Sequence, residues 1–210
     1  MIRQRFLCVA SMLAVLLPAT ARAQDAGTND YPWLVKLGVH DVDPKSNNGS
    51  LAGGAIAADV DSSVRPTVSI EYLFTPHIGI EALAAWPFEH EIKLNGVRSA
   101  NTKQLPPTFS LQYHFLPGSV LSPYIGVGVN YTRFFHIHET GLLSGDHLDL
   151  GSSWGVAAHA GLDYRLNDRW LVGVDVRWID LDTRVKVNGA RLGMVTISPW
   201  VYGAYVGFRF

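Results

Sequence analysis

Apolar residues recur at every second position in eight stretches of this 210-residue chain. In 31–40, Trp33, Val35, Leu37 and Val39 alternate with Lys36, Gly38 and His40. In 64–74, Val68, Ile70, Tyr72 and Phe74 oppose Thr67, Ser69 and Glu71. In 77–88, Ile78, Ile80, Ala82 and Ala84 oppose Gly79 and Glu81, and in 107–115 Phe109, Leu111, Tyr113 and Phe115 oppose Ser110, Gln112 and His114. The second half repeats the scheme in 122–135, 148–164, 170–181 and 193–210. The last ends with Tyr202, Ala204, Val206, Phe208 and Phe210 set against Gly203, Tyr205, Gly207 and Arg209. A period of two is the signature of strands with two unlike faces. The pattern predicts an all-β chain of eight antiparallel strands, with almost no helical periodicity.

The connections alternate in length. Those near 75–76, 117–119 and 166–168 are short and carry turn residues, whereas 41–63, 89–104, 136–147 and 182–192 are long and rich in Gly, Asn, Asp, Ser and His. Short turns at one end and long loops at the other match an eight-stranded antiparallel transmembrane β-barrel, with periplasmic turns and extracellular loops. A lipocalin-like barrel or β-sandwich also alternates, but puts its apolar face inward. The terminal Phe210 and the aromatics at strand ends (Trp33, Tyr72, Phe74, Tyr113, Phe115, Tyr124, Tyr164, Trp170) favour the membrane barrel, whose outer surface carries aromatic girdles.

The N-terminus agrees. Arg3 and Arg5 precede an uncharged stretch at 6–18 and then Ala21-Arg22-Ala23, the layout of a cleavable signal peptide. The domains expected are a signal peptide at 1–23 and a barrel at 24–210, the mature chain lying in the outer membrane. The only cysteine, Cys8, falls in the removed segment, which excludes disulfide, zinc-thiolate and cysteine-nucleophile chemistry from the mature chain. Losing Arg3, Arg5 and Arg22 leaves 14 basic and 18 acidic residues, a net charge of −4 that gives no general attraction to nucleic acid.

The inward list carries both signs: Lys36, Arg65, Arg177 and Arg209 against Glu71, Glu81, Asp163 and Asp175. An eight-stranded barrel is just wide enough for side chains to fill it. Paired charges there would form a plug that bars ions, and unpaired ones a water-filled pore; buried charges must pair, which favours the plug. Gly126, Gly128, Gly155 and Gly161 allow either close packing or a gap in the wall, and close packing is the expectation. His136-Ile-His138, with Glu139 and His147 nearby, has a metal-like spacing but too few ligands, so no metal or other cofactor is expected. Ser153 and His159 share a face about 20 Å apart, too far to act together, and no nucleophile, phosphate or dinucleotide motif appears. No catalytic residue is expected.

The blocks Arg65-Pro-Thr-Val-Ser-Ile-Glu-Tyr72, Phe74-Thr-Pro76, Ala85-Trp-Pro-Phe-Glu-His90, Leu105-Pro-Pro-Thr108, Leu111-Gln-Tyr-His-Phe115, Pro123-Tyr-Ile-Gly-Val-Gly-Val-Asn-Tyr-Thr132 and Ser198-Pro-Trp200 together resemble the outer membrane protein W family, which includes the alkane-uptake protein AlkL. The resemblance runs in order along the whole mature chain. It implies a narrow apolar pocket at the extracellular end, where small hydrophobic molecules enter before leaving sideways into the membrane. Candidate pocket residues are Leu51 and Ile56 in an apolar first loop, Phe88, Phe134 and Trp154. Alternation puts Trp154 on the lipid face, so its place in the pocket rests on the resemblance and needs a bulge. The partners implied are outer-membrane lipid, a small hydrophobic solute, and the barrel-assembly machinery, which would read Phe210. The competing function is a non-transporting structural, adhesive or receptor barrel acting through its loops. An apolar lumen near the extracellular ends favours uptake; a uniformly polar, closed lumen favours the other.

Overall fold

A computed structural model describes residues 31–45 and 48–210. The expected signal peptide lies outside the described residues. The strands are β1 (Trp33–Asp43), β2 (Ser50–Leu51), β3 (Ile56–Val60), β4 (Ser63–Leu73), β5 (Ile78–Ala85), β6 (Phe88–Leu94), β7 (Val97–Leu105), β8 (Thr108–His114), β9 (Leu121–Glu139), β10 (Leu148–Leu150), β11 (Ser153–Arg165), β12 (Trp170–Ile179), β13 (Asp182–Val187), β14 (Ala190–Thr196) and β15 (Trp200–Arg209). Eight of them form one antiparallel cycle, β1-β4-β5-β8-β9-β11-β12-β15. It closes because β15 pairs with β1 and β11 pairs with both β9 and β12.

The period-two pattern decides what faces where, and it does so inside out. Leu37, Val127 and Val156 point outward and are 62%, 62% and 56% exposed, while Lys36, Glu71, Glu81 and Arg177 point inward and are 4% exposed or less. Water would not tolerate so continuous an apolar exterior around a charged interior; hydrocarbon requires it. The soluble alternative fails on this geometry. Glycines on the inward positions give large neighbours room. A Cβ at Gly161 would meet the Tyr124 ring, one at Gly173 the Tyr205 ring, and one at Gly126 the His159 ring. Gly128 and Gly155 lie equally close to backbone carbonyls of Phe109 and Asp180, so these glycines serve close packing.

Short turns close one end. Thr75 Oγ1 accepts the amides of His77 (3.2 Å) and Ile78 (3.0 Å), and Asn167 Oδ1 those of Arg169 (3.0 Å) and Trp170 (2.9 Å). At the other end the long connections expected as loops are largely strand. β6 and β7 turn at Asn95-Gly96 (φ +49° and +77°), and β13 and β14 at Asn188-Gly189 (φ +51° and +80°), both with the positive φ pair of a type I′ hairpin. The sheet β7-β6-β3-β2 continues the barrel wall above β9, and β10-β13-β14 forms a separate three-stranded sheet.

Two expected strands are therefore broken. The sixth is interrupted at Gly151-Ser152 between β10 and β11, and the eighth at Ile197-Ser198-Pro199 between β14 and β15. Tyr124, expected at the lipid rim, is 2% exposed in the lumen. Its even position in β9 puts it on the same inward face as Ser122 and Asn130.

Candidate functional site

Midway along the lumen, five strands contribute one charged network. Lys36 Nζ on β1 lies 2.9 Å from Glu71 Oε2 on β4 and 3.1 Å from Glu81 Oε2 on β5. The second contact is a hydrogen bond; the first is an ion pair outside hydrogen-bond geometry. Arg177 on β12 bridges Glu81 Oε1 (3.0 Å) and Asp175 Oδ2 (3.2 Å). His40 joins Asp175 Oδ1 (3.0 Å) to Thr67 Oγ1 (2.7 Å), and His114 Nε2 lies 2.8 Å from Glu71 Oε1. Toward the short-turn end, Tyr205 donates to Asp163 Oδ1 (2.7 Å) and meets the Tyr124 hydroxyl at 2.8 Å. Lys36 Nζ stands over both tyrosine rings. These side chains span the lumen at this level, around a void of only about 10 Å³ beside Lys36, His40, Glu81 and Arg177.

Of the eight charges expected in the plug, the structure brings together Lys36, Glu71, Glu81, Asp175 and Arg177, with Asp163 linked through Tyr205. Arg65 and Arg209 stand apart. Arg65 faces inward but near the outer end of β4, and its guanidinium turns up to Glu89 (3.1 Å) and the Pro87 carbonyl (3.1 Å). Arg209 ends β15 near the short turns and has no ion pair among the described residues. His40, His114 and Tyr205 complete the network. Alternation put all three on the inward face, but their partners come from other strands and only the closed barrel reveals them.

Above the network the lumen turns apolar. A cavity of about 40 Å³ is walled by Leu51, Leu94, Phe134, Leu150, Val185 and Ile197 among others, with His90, Thr102, Gln104 and Thr183 as its polar neighbours. The hairpins missed at the sequence level build this chamber: β6–β7 on one side, β10 and β13–β14 on the other. Leu51 and Phe134 line it. Phe88 is 2% exposed in the same apolar cluster, and Ile56 packs against that cluster; neither lines the cavity itself. Trp154 is elsewhere. It is 74% exposed on the outer face and packs against Tyr131 with ring centroids 4.8 Å apart and planes tilted by 42°. The bulge needed to turn it inward does not occur, because β9 and β11 pair without a shift from Ser153 to Tyr164.

The wall beside the chamber is interrupted. β5 pairs with β8 up to Leu83–Thr108, and β6 with β7 from Phe88–Gln104 onward. Between those levels, residues 84–87 face Leu105, Pro106 and Pro107 with no ladder pair. Pro87, Pro106 and Pro107 have no N–H to give. From inside, Asn130 Nδ2 lies 3.1 Å from Pro106 O, 3.3 Å from Pro107 O and 2.9 Å from Thr108 Oγ1; Pro106 O also accepts the Thr108 hydroxyl (3.2 Å) and Pro107 O the Tyr131 amide (3.0 Å).

The closed barrel with an apolar exterior is that of an outer-membrane protein, and the OmpW family model matches residues 32–210. The chain belongs to the OmpW family. It is 34% identical to Outer membrane protein W of Vibrio cholerae, over 97% of this chain and 98% of that protein. It is 26% identical to the dibenzothiophene metabolism operon protein PahQ of Pseudomonas aeruginosa, over 94% and 98%. Among solved structures, the outer membrane protein OprG of Pseudomonas aeruginosa superposes with a TM-score of 0.77 at 34% identity, over 85% of this chain and 95% of that one. Like its relatives, this OmpW-family chain is an outer-membrane barrel whose outer face meets lipid.

The histidines at the end of β9 do not gather into a centre. His136 has φ +49° within a bulge, where Phe135 pairs with Lys103 and His138 with Asn101. Among the described residues no three metal-ligating side chains come together. Glu139 instead anchors the start of β10: its Oε1 accepts the Leu148 amide at 2.8 Å, and that bond holds its carboxyl below the ordinary range.

Proposed function

We propose that this OmpW-family barrel passes small hydrophobic molecules from the cell exterior into the outer membrane by passive diffusion, with exit sideways through the wall. The observation that carries the reading is the apolar chamber set directly above a closed charged layer. A hydrophobic solute gains about 25 cal/mol for each Å² of apolar surface it removes from water on entering such a chamber. Going straight down would require it to part Lys36 and Arg177 from their carboxylates. The proline-interrupted stretch opposite residues 84–87 offers another way: Gln104 lines the chamber next to Leu105, and Ala85 packs against the chamber's apolar cluster. The name of PahQ ties that relative to the metabolism of an apolar aromatic compound, which fits the same class of cargo.

A barrel acting only through its loops has no need of an apolar lumen at its outer end, and the chamber favours uptake over that alternative. Deleting the protein should slow uptake of an apolar solute while leaving a small polar one unaffected. Equal uptake of both in deleted and complemented cells would refute the proposal. Phe210, whose backbone pairs with Trp33 at the end of the closing strand, we assign to recognition by the barrel-assembly machinery.

A further inference from the structure

We infer that the chamber accepts an apolar molecule carrying one neutral hydrogen-bond donor, and that His90 Nε2 is the atom that receives it. The inference rests on the uptake reading and narrows it. His90 lies on β6, is 3% exposed and forms part of the chamber wall. Its Nδ1 lies 2.7 Å from the Asp61 carbonyl oxygen. A carbonyl only accepts, so Nδ1 carries the hydrogen, and Nε2 of the neutral ring is an acceptor. Burial lowers the pKa of this imidazole, which keeps the ring neutral at neutral pH. Nε2 is buried and no described residue donates to it.

Two of the chamber's three other polar side chains are turned to backbone carbonyls, and the third, Gln104, makes no bond to Nε2. Thr102 sits directly across the β6–β7 pair, and its hydroxyl points to the Lys103 carbonyl at 3.4 Å. The Thr183 hydroxyl donates to Gly151 O at 2.7 Å. Phe88 stacks on the imidazole with centroids 6.4 Å apart, which fixes the ring's orientation. Buried acceptors are ordinarily paired, and an unpaired one on the wall of a binding chamber marks where a ligand is to supply the partner.

The acceptor sorts ligands by chemistry. The chamber must widen to hold a guest of about ten carbons, and the guest that parts the wall at His90 brings its polar group to Nε2. An alcohol, a phenol or a neutral N–H gains a hydrogen bond there. A plain hydrocarbon leaves Nε2 unpaired. A carboxylate sets acceptor against acceptor, and an ammonium group would have to be stripped of water.

Two isomers separate these cases: 1-decanol and methyl nonyl ether, equal in formula and differing in the donor. Their affinities for the full-length barrel in micelles are compared after correction for partition into the detergent. The ¹⁵N resonance of His90 Nε2 is followed in histidine-labelled protein. Decanol is expected to bind about threefold to tenfold more tightly, one net hydrogen bond, and to shift the Nε2 resonance where the ether does not. In His90→Leu the two should bind alike. Equal affinities and no Nε2 shift in the wild-type protein, or a preference that survives His90→Leu, would overturn the inference and leave the uptake reading standing. Failure of both isomers to bind the wild-type barrel would overturn the uptake reading as well. The wild-type comparison needs no variant and stands even if His90→Leu does not fold.

Discussion

Lys36→Met tests whether the charged layer is a structural plug. Methionine keeps the length and apolar stem of lysine but, among the described residues, removes the only cation within reach of Glu71 Oε2, at 2.9 Å, and one of two serving Glu81. At an effective dielectric of about 20, each contact carries an attraction of roughly 5 kcal/mol before desolvation is counted. The two carboxylates are 0% and 2% exposed, so water cannot replace the ammonium. Arg177 remains beside Glu81, leaving Glu71 with His114 alone. The expected net loss is about 3–5 kcal/mol, the usual cost of stranding one half of a buried pair. Urea unfolding of the barrel in lipid vesicles, followed by tryptophan fluorescence, measures it. In Lys36→Met/Glu71→Gln the stranded charge is gone, and the double variant should be more stable than the sum of the single losses predicts. A Lys36→Met barrel within about 1 kcal/mol of wild type, or strictly additive losses, would refute the coupling.

Three further outcomes follow from the geometry. Trp154→Ala should leave apolar uptake unchanged within about twofold, since its ring lies outside the chamber on Tyr131 and substitutions of exposed residues away from special features are usually worth about 0.5 kcal/mol or less; a tenfold drop in proteoliposome uptake would restore it to the pathway. Gly189→Ala adds a Cβ in open space but at φ +80°, so it should cost about 1 kcal/mol of backbone strain. Hydrogen exchange of the β13–β14 amides should then speed up about fivefold with the barrel amides unmoved. Glu139 has a depressed carboxyl, so its tether to Leu148 is present at neutral pH and is lost as pH falls through that lowered value; protection of the Leu148 amide should fall with acid in the wild type, and a flat profile would show that the carboxylate does not hold it.

Alternation was enough to locate the eight barrel strands and to tell their inward from their outward faces, because the side-chain period in a strand is two whatever the strand pairs with. Pairing is where the sequence pattern stopped. His40 and Asp175 are 135 positions apart and meet only because β15 lies between β1 and β12. Arg65 has the inward parity of Glu71, yet its long side chain follows the outer wall to Glu89. The outer hairpins were missed for a different reason. Their polar residues resemble loop composition, and the decisive marks were two dipeptides, Asn95-Gly96 and Asn188-Gly189, each bracketed by alternating residues. Read as I′ turns, they would have folded these two loops into hairpins, β6–β7 and β13–β14, whose residues Leu94, Val185 and Val187 line the chamber. Gly151 and Pro199 likewise mark where β11 and β15 separate from the strands above them. Tyr124 misled because an aromatic near a strand end suits the rim, whereas its parity with Ser122 had already set it inside.

The levels of the lumen fit the proposed sideways route better than an axial one. A solute in the chamber has the Lys36–Glu71–Glu81–Arg177 network beneath it, and separating even one partner there costs about 3–5 kcal/mol. Beside the chamber, residues 84–87 share no ladder pair with Leu105, Pro106 and Pro107, although Pro107 O accepts the Tyr131 amide at 3.0 Å and Pro106 O is shared by Asn130 Nδ2 and the Thr108 hydroxyl. Shifting a neutral amide from three weak acceptor contacts costs less than dismantling a buried charge network, since a neutral hydrogen bond is worth about 0.5–1.5 kcal/mol net. On the proposed route the solute passes from the chamber to hydrocarbon, so its apolar surface stays out of water throughout. On the proposed route Asn130, which is also tied to the Thr132 hydroxyl at 2.7 Å, is one side chain that must move, and the missing N–H groups of Pro87, Pro106 and Pro107 leave fewer bonds to break along that seam.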